Sequence, residues 1–447
     1  MIAGKSWFDL HKMGLLFAIL YPVIIQENQD LSVFEAHESN VRGYSRAFPF
    51  VINKAKASRL YGTNGKEYID FFAGASGLNY GHNHPAMQAA MIDYIQADGI
   101  IHALDMATTG KGAFIQALYN HILEPRGLGN YKVQFTSPSG TNAVEASLKL
   151  ARKNTGRTEV ISFENGFHGV SLGSLAATFN PHFRGAAGVP LEHVNFISYD
   201  DLTLPVEETT AKLETQLLES IEANGLPAAV IVECVQGEGG VRVARSAWLQ
   251  KLRQLTKEND IVLIADEIQA GIGRCGGFFS FEEAGIVPDI ITLSKSISGS
   301  GLPMAIVLFD ARLDAWKPGE HNGTFRGNNL AFVAATVAIE TFWTSDKFVQ
   351  EIARKGQIIS DRLQQIASDN ANIVESVRGR GMFYGLLIKD PAVAGKITQE
   401  CFNNGLVIER AGMEDEVVKL LPPLVIEDKD LTAGLDIIAA AVASNNQ

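Results

Sequence analysis

Two ionisable side chains sit where apolar runs end. Asp266 follows Ile261-Val-Leu-Ile-Ala265, and Lys295 follows Ile290-Ile-Thr-Leu-Ser294, 29 positions later. A carboxylate and an amine at the carboxyl ends of neighbouring buried strands suit pyridoxal 5'-phosphate (PLP) chemistry. The amine can form a Schiff base, and the acid can keep a pyridine nitrogen protonated so that the ring absorbs carbanion charge. Satisfied polar ends of core strands would look the same at this level, so the neighbouring motifs must decide.

Three segments could hold the rest of such a ligand. Ser137-Pro-Ser-Gly-Thr141 runs into a helical pattern in which Val144, Leu148 and Ala151 share one face and Glu145 and Lys149 are spaced to pair. A helix N-terminus with free N–H groups, hydroxyls and a glycine is a ready phosphate site, although an ordinary capped helix has the same composition. Gly323-Thr-Phe-Arg-Gly-Asn-Asn329 offers a hydroxyl between glycines, as many plain turns do. Asn165-Gly-Phe-His-Gly169 follows an apolar run and could lay an aromatic ring flat on a planar cofactor, or simply pack.

Gly271-Ile-Gly-Arg-Cys-Gly276 fits G-x-G-x-x-G and raises a nicotinamide dehydrogenase as a competing class. Its context argues against that. The glycines lie several residues beyond the strand, and Gly277-Phe-Phe-Ser-Phe281 is a poor opening for a pyrophosphate-binding helix. His82 and His84 lack further nearby ligands and read as turn residues rather than a metal site.

These motifs need a scaffold. Short apolar runs at Val133–Phe135, Val160–Phe163, Val194–Ile197, Ala228–Cys234, Ile261–Ala265, Ile290–Leu293 and Ala305–Phe309 read as strands, several of them continuous Val/Ile/Leu runs as expected for burial on both faces. Amphipathic stretches such as Val206–Ala223 and Ala247–Asn259 lie between them. The alternation predicts an α/β fold with a mainly parallel seven-stranded sheet sandwiched by helices. A single long helical region from Leu330 to about Ser368 begins a smaller α+β domain. The 46–72 stretch should join it as a strand pair, turning at Tyr61-Gly-Thr-Asn-Gly-Lys-Glu-Tyr68. The expected division is 1–30 as an apolar leader, 31–80 and 331–447 as the small domain, and 81–330 as the large domain. The run Gly14–Ile25 is too short for a membrane span, which needs ~20 residues, and the working protein is expected to begin near Leu31.

With 447 residues the chain can bury a large core, and a formal charge of −12 argues against broad affinity for nucleic acid or an anionic membrane, which need a basic face. Three scattered cysteines, Cys234, Cys275 and Cys401, point to a reducing, cytoplasmic compartment.

Taken in order, Ser139-Gly-Thr-Asn-Ala143, Phe167-His-Gly169, Gln236-Gly-Glu-Gly-Gly240, Asp266-Glu-Ile-Gln269, Leu293-Ser-Lys295 and Gly323-Thr324 resemble the class III aminotransferases. That resemblance implies fold-type I PLP enzymes that assemble as homodimers or higher oligomers with shared sites. By matching position it implies Lys295 as the Schiff-base lysine and proton shuttle, and Asp266 as the partner of the pyridine N–H. It implies Gln269 at the ring hydroxyl and Phe167 and Ile268 on the ring faces. Gly140 and Thr141 would hold the phosphate, with Thr324 donated by a neighbouring subunit. Asn142 stands where many members carry Glu and is assigned no role.

Further stretches, among them Leu104-Asp-Met-Ala-Thr108 and Lys317-Pro-Gly-Glu-His-Asn-Gly-Thr324, are similar to the branch that opens ectoine synthesis. The implied reaction takes L-glutamate and L-aspartate 4-semialdehyde to 2-oxoglutarate and L-2,4-diaminobutyrate. Siderophore and diamine pathways use the same product, and another ω-aminotransferase or an aminomutase of this fold is the alternative. Two departures from ornithine-type relatives matter. Glu238 is present, but Lys419 replaces the arginine that clamps a substrate carboxylate, and a point charge lacks the bidentate fork. Val170 stands where those relatives carry a second arginine, which leaves Arg184 as the candidate for the far carboxylate of glutamate.

Overall fold

A computed structural model describes residues 30–446. The leader expected over 1–30 lies outside the described residues, apart from Asp30.

Seven strands form the central sheet: β1 (Tyr131–Phe135), β2 (Val160–Phe163), β3 (Val194–Ile197), β4 (Ala229–Val232), β5 (Val262–Asp266), β6 (Ile290–Leu293) and β7 (Ile306–Asp310). Their order is β1-β7-β6-β5-β4-β2-β3, and only β7 runs antiparallel to its neighbours. Each expected strand is found within a residue or two of its expected bounds.

The unbroken apolar runs follow from the layering. Ile161, Val230, Val232, Leu263, Ala265, Ile291 and Leu293 pack into one core. Their neighbours Val160, Ala229, Ile231, Val262, Ile264 and Ile290 pack into a second core. Successive strand residues point to opposite faces, so a sheet covered on both sides is apolar at most positions, and the buried exceptions Ser162 and Thr292 have hydrogen-bonded hydroxyls.

Two four-stranded sheets and a two-stranded one, Val235–Gln236 with Arg242–Val243, accompany the central sheet. Ile52–Lys56, Arg59–Gly62 and Glu67–Asp70 form an antiparallel meander, with the expected turn between its second and third strands, and Leu406–Val407 adds in parallel to Glu67–Asp70. Val374–Arg380, Phe383–Ile388, Val417–Leu420 and Glu409–Ala411 form the other four-stranded sheet, wholly antiparallel. The expected helix from Leu330 to Ser368 is two helices, Asn329–Phe342 and Lys347–Asp369. The first helix ends at its C-cap residue Trp343, whose buried indole N–H donates to the Tyr80 hydroxyl at 2.8 Å.

The G-x-G-x-x-G segment is a structural knot. Arg274 is fully buried and donates to Ser76 Oγ (3.1 Å), Asn79 Oδ1 (2.6 Å), the Met382 carbonyl (3.0 Å) and the Pro422 carbonyl (2.7 Å). It thereby joins three distant parts of the chain, and the glycines serve the loop that carries it. His82 pairs with Asp70 at 2.7 Å, and no metal-binding cluster occurs among the described residues. No described helix is long and apolar enough to cross a membrane.

Candidate active site

The carboxyl ends of the parallel strands open into a cavity of about 510 Å³, within the range of small-molecule sites. Gly140, Thr141, Phe167, Glu238, Asp266, Ile268, Gln269 and Lys295 all line it. Asp266 ends β5 and Lys295 lies two residues past β6, adjacent parallel strands in which Asp266 stands opposite Thr292. Acid and amine therefore share one cavity.

Asp266 is 4% exposed and fully engaged. Its Oδ2 pairs with His168 Nδ1 at 2.7 Å, while Oδ1 accepts from the Ile268 N–H and the Thr292 hydroxyl, both at 3.1 Å. Burial opposes the His168 imidazolium, yet the bond to Asp266 and the charges of Asp266 and Glu233 outweigh it and raise its pKa. Glu233 was not foreseen. It accepts the Phe167 N–H at 2.9 Å and the Gly237 N–H at 3.2 Å, fixing the backbone under the aromatic ring. Burial pushes its carboxyl up to about 7. A signal was present in the sequence: Glu233 closes an apolar run just as Asp266 does.

Lys295 occupies the left-handed region at φ 53°, a strained conformation for a side-chain-bearing residue. Its Nζ donates to the Ala75 carbonyl at 2.8 Å, and burial lowers its pKa. That carbonyl sits in a rare left-handed turn: Ala73, Gly74, Ala75 and Ser76 have φ of 46°, 58°, 55° and 70°. Ser76, bonded to Arg274, closes the turn. Beside it, Gln269 donates from Nε2 to Glu238 Oε1 at 3.0 Å, while its Oε1 is buried with no partner.

At the opposite end, Ser139 caps the helix Gly140–Thr155, which aims its N-terminus into the cavity. Thr141 Oγ1 meets the hydroxyls of Ser171 at 2.5 Å and Ser174 at 2.8 Å. Gly169 (φ 116°) allows this close packing, since a Cβ there would stand 2.5 Å from Thr141 Oγ1. The expected Glu145–Lys149 pair does not form. Glu145 instead accepts from the Ser171 hydroxyl and the N–H groups of Gly173 and Ser174, which head the next helix, and Lys149 reaches the Glu320 carbonyl. Free N–H groups at a helix start attract a carboxylate more strongly than an exposed lysine does.

Three expected residues lie outside the lining. Lys419 is fully buried behind Glu238, bonded to its Oε1 at 2.7 Å and paired with Glu409 at 3.0 Å. Burial opposes both charges, but Lys419 lowers the Glu238 pKa, and the two carboxylates raise that of Lys419. Arg184 does not reach the cavity. It donates to the carbonyls of Leu175, Ala176 and Thr178, and its guanidinium lies over Phe196 at 5.1 Å, so it closes a helix end. Thr324 is exposed on the segment Thr324–Arg326, away from this chain's own cavity. Lys295 is the one lysine or arginine among the lining residues.

Comparison with known proteins agrees with this architecture. Residues 41–442 match the family described as aminotransferase class-III. A diaminobutyrate–2-oxoglutarate transaminase from Bordetella parapertussis is 53% identical over 93% of this chain and 95% of its own. One of the same name from Halalkalibacterium halodurans is 51% identical over 92% and 96%. Among solved structures, the ornithine aminotransferase of Toxoplasma gondii superposes with a TM-score of 0.80 at 26% identity, over 99% of this chain and 98% of the other. An amine transaminase from an uncultivated Pseudomonas species, solved with PLP bound, gives 0.81 at 25% identity over 91% and 97%. A match to the family along nearly the whole length, and half-identity to several members, leaves one assignment: this chain belongs to the class-III aminotransferases, which are PLP-dependent.

Proposed function

We propose that this chain transfers the amino group of L-glutamate to L-aspartate 4-semialdehyde, yielding L-2,4-diaminobutyrate and 2-oxoglutarate. The carrying observation is that Asp266 and Lys295 face one cavity whose far end is a helix N-terminus. The choice of substrates rests on relatives about half identical over more than nine-tenths of both chains. We read the reaction as the opening step of ectoine synthesis, a reading that the quoted stretches support; a siderophore or diamine pathway would use the same product.

The residues present fit PLP. Gly140 and Thr141, at the start of their helix, would hold the phosphate, and Phe167 and Ile268 would flank the ring. Gln269 Oε1, a buried acceptor lacking a donor, would meet the ring hydroxyl. When bound, PLP supplies an electrophilic carbon and a conjugated ring that spreads carbanion charge. Asp266, locked by His168, Thr292 and the Ile268 N–H, would keep a proton on the ring nitrogen. Lys295 Nζ would hold the cofactor and, once displaced by the donor amine, would take up the proton released from the amino-bearing carbon of the donor. Burial lowers its pKa and so suits the amine to accept that proton. Thr324 lies outside its own chain's cavity, which supports a homodimer in which it serves the neighbouring subunit's phosphate site.

Lys295→Ala tests the assignment. Purified variant should lack the absorbance band of the lysine–PLP Schiff base and all turnover; retained steady-state activity would overturn the role. Omitting glutamate from the wild-type assay should stop product formation, whereas continued conversion of a semialdehyde would identify an aminomutase.

A further inference from the structure

Lys419 is held from two sides. It occupies an interior strand of the C-terminal sheet, in register with Glu409 on one neighbouring strand and Gly385 on the other. Its ammonium meets Glu409 at 3.0 Å and Glu238 at 2.7 Å, with no side-chain exposure. Both bonds to Glu238, from Lys419 and from Gln269, fall on Oε1, leaving Oε2 free for a ligand in the cavity that Glu238 lines.

Charge decides what that ligand can be. One ammonium between two carboxylates leaves a net charge of −1 on these three groups once both acids are ionised, and burial lowers the pKa of Lys295, the further amine that interacts with them. Burial pushes the Glu409 carboxyl up to about 7, so this state holds in mildly alkaline solution. A substrate carboxylate arriving here would be repelled. It could not win Lys419 without leaving two carboxylates in a buried site with no cation between them. A substrate ammonium would be attracted and would find an acceptor oxygen already positioned.

We infer that Glu238, braced by Lys419 and Glu409, is a fixed acceptor for the α-ammonium of L-2,4-diaminobutyrate, and that Glu409 is a positioning residue making this corner selective for cations. The inference rests on the reaction proposed above and adds a specificity element to it. It assigns Glu409 a role that follows only from its contacts. Lys419 here acts as an internal counter-ion.

The test compares L-2,4-diaminobutyrate with 4-aminobutyrate, which has the same chain and reacting amine but no α-ammonium. PLP-loaded enzyme is followed at pH 8.5 by the single-turnover loss of cofactor absorbance. Wild type should prefer the diamine by roughly tenfold or more in kcat/KM, as expected for one charge-assisted hydrogen bond. Glu238→Gln should lower that ratio by about tenfold, and Glu409→Gln should lower it by several-fold, mainly through KM of the diamine. Glu409→Asp should restore part of it. Calorimetric titration of Lys295→Ala, which cannot turn over, should show tighter binding of the diamine than of 4-aminobutyrate, and Glu409→Gln in that background should narrow the gap.

Equal ratios in wild type and Glu238→Gln would overturn the inference. So would a Glu409→Gln effect confined to kcat, or an equal rise in KM for both amines. Should Glu409→Gln fail to fold, Glu238→Gln decides alone. Wild type that reacts with both amines indiscriminately removes the ammonium site and spares the reaction. Wild type inert to the diamine removes the reaction, and the inference falls with it.

Discussion

Replacing Arg274 with methionine gives a quantitative test of how the site is supported. The guanidinium is fully buried and makes four hydrogen bonds of 2.6–3.1 Å, to two side chains and two backbone carbonyls. Methionine fills similar volume but offers no donor, stranding the Met382 and Pro422 carbonyls. A buried acceptor left without a partner costs about 1–3 kcal/mol, so the two carbonyls alone predict a loss of about 4 kcal/mol. An unfolding entropy of ~2.1 cal/mol/K per residue over 447 residues is about 0.9 kcal/mol/K, if the chain unfolds as one unit. The expected drop in melting temperature is therefore about 4 °C. Arg274→Lys keeps one donor group on the same path and should lose about half as much. Differential scanning calorimetry of matched cofactor-loaded samples measures both. A drop below about 1 °C for Arg274→Met would refute the reasoning, since it would mean that the carbonyls find other donors at little cost. Arg274 also holds Ser76, next to the Ala75 carbonyl that receives Lys295, so the same variant should bind PLP more weakly.

Other expectations follow from single contacts. His168→Leu strips Asp266 of its buried partner and should weaken PLP binding by about tenfold or more, read by titrating apoenzyme; an unchanged dissociation constant would contradict the role of that pair. Glu267 accepts the Ser280 N–H and hydroxyl in full burial, and burial pushes its carboxyl up to about 7 from an ordinary 4.5. Its contribution to stability is present in full below pH 4.5 and is lost as pH rises through 7. A shift of 2.5 pH units corresponds to at most about 3 kcal/mol. Glu267→Gln should flatten that decline between pH 5 and 8 in melting experiments, and parallel pH profiles would count against it. Ala75→Gly removes part of the left-handed strain, about 1–2 kcal/mol, and adds chain entropy of 0.5–1 kcal/mol. Melting should rise by no more than about 2 °C, and a fall of several degrees would show that the methyl group matters more than the backbone angle.

Much of the fold could be read from runs of side chains. The bounds expected for Val160–Phe163, Val194–Ile197 and Ile290–Leu293 agree with the structure to the residue, because each is a mainly apolar run broken by a single Ser, Asn or Thr and flanked by polar residues. The run Ala228–Cys234 was read two residues too far. The strand ends at Val232, and the next residue, Glu233, accepts the N–H of Phe167, a partner 66 positions away. Arg184 was placed at the substrate on charge alone. Its actual partners are the carbonyls of a short helix end, which have no marker in composition. Glu409 and Arg274 escaped notice for the same reason: each acts through strands or loops that only folding brings together. Asp266 and Lys295 were legible because an ionisable residue closing a buried strand contradicts its surroundings, and such contradictions mark sites.

The parallel pairing of Leu406–Val407 with Glu67–Asp70 has a consequence for synthesis. The early meander emerges from the ribosome with one edge bare, and its native neighbour is 407 minus 70, or 337, residues away. At about 5–20 residues per second, that edge waits roughly 17–67 s for its last strand. Throughout this interval it can recruit strands from other nascent chains. Translation speed and holdase chaperones should therefore govern the yield of native enzyme in cells, even where the finished protein is stable.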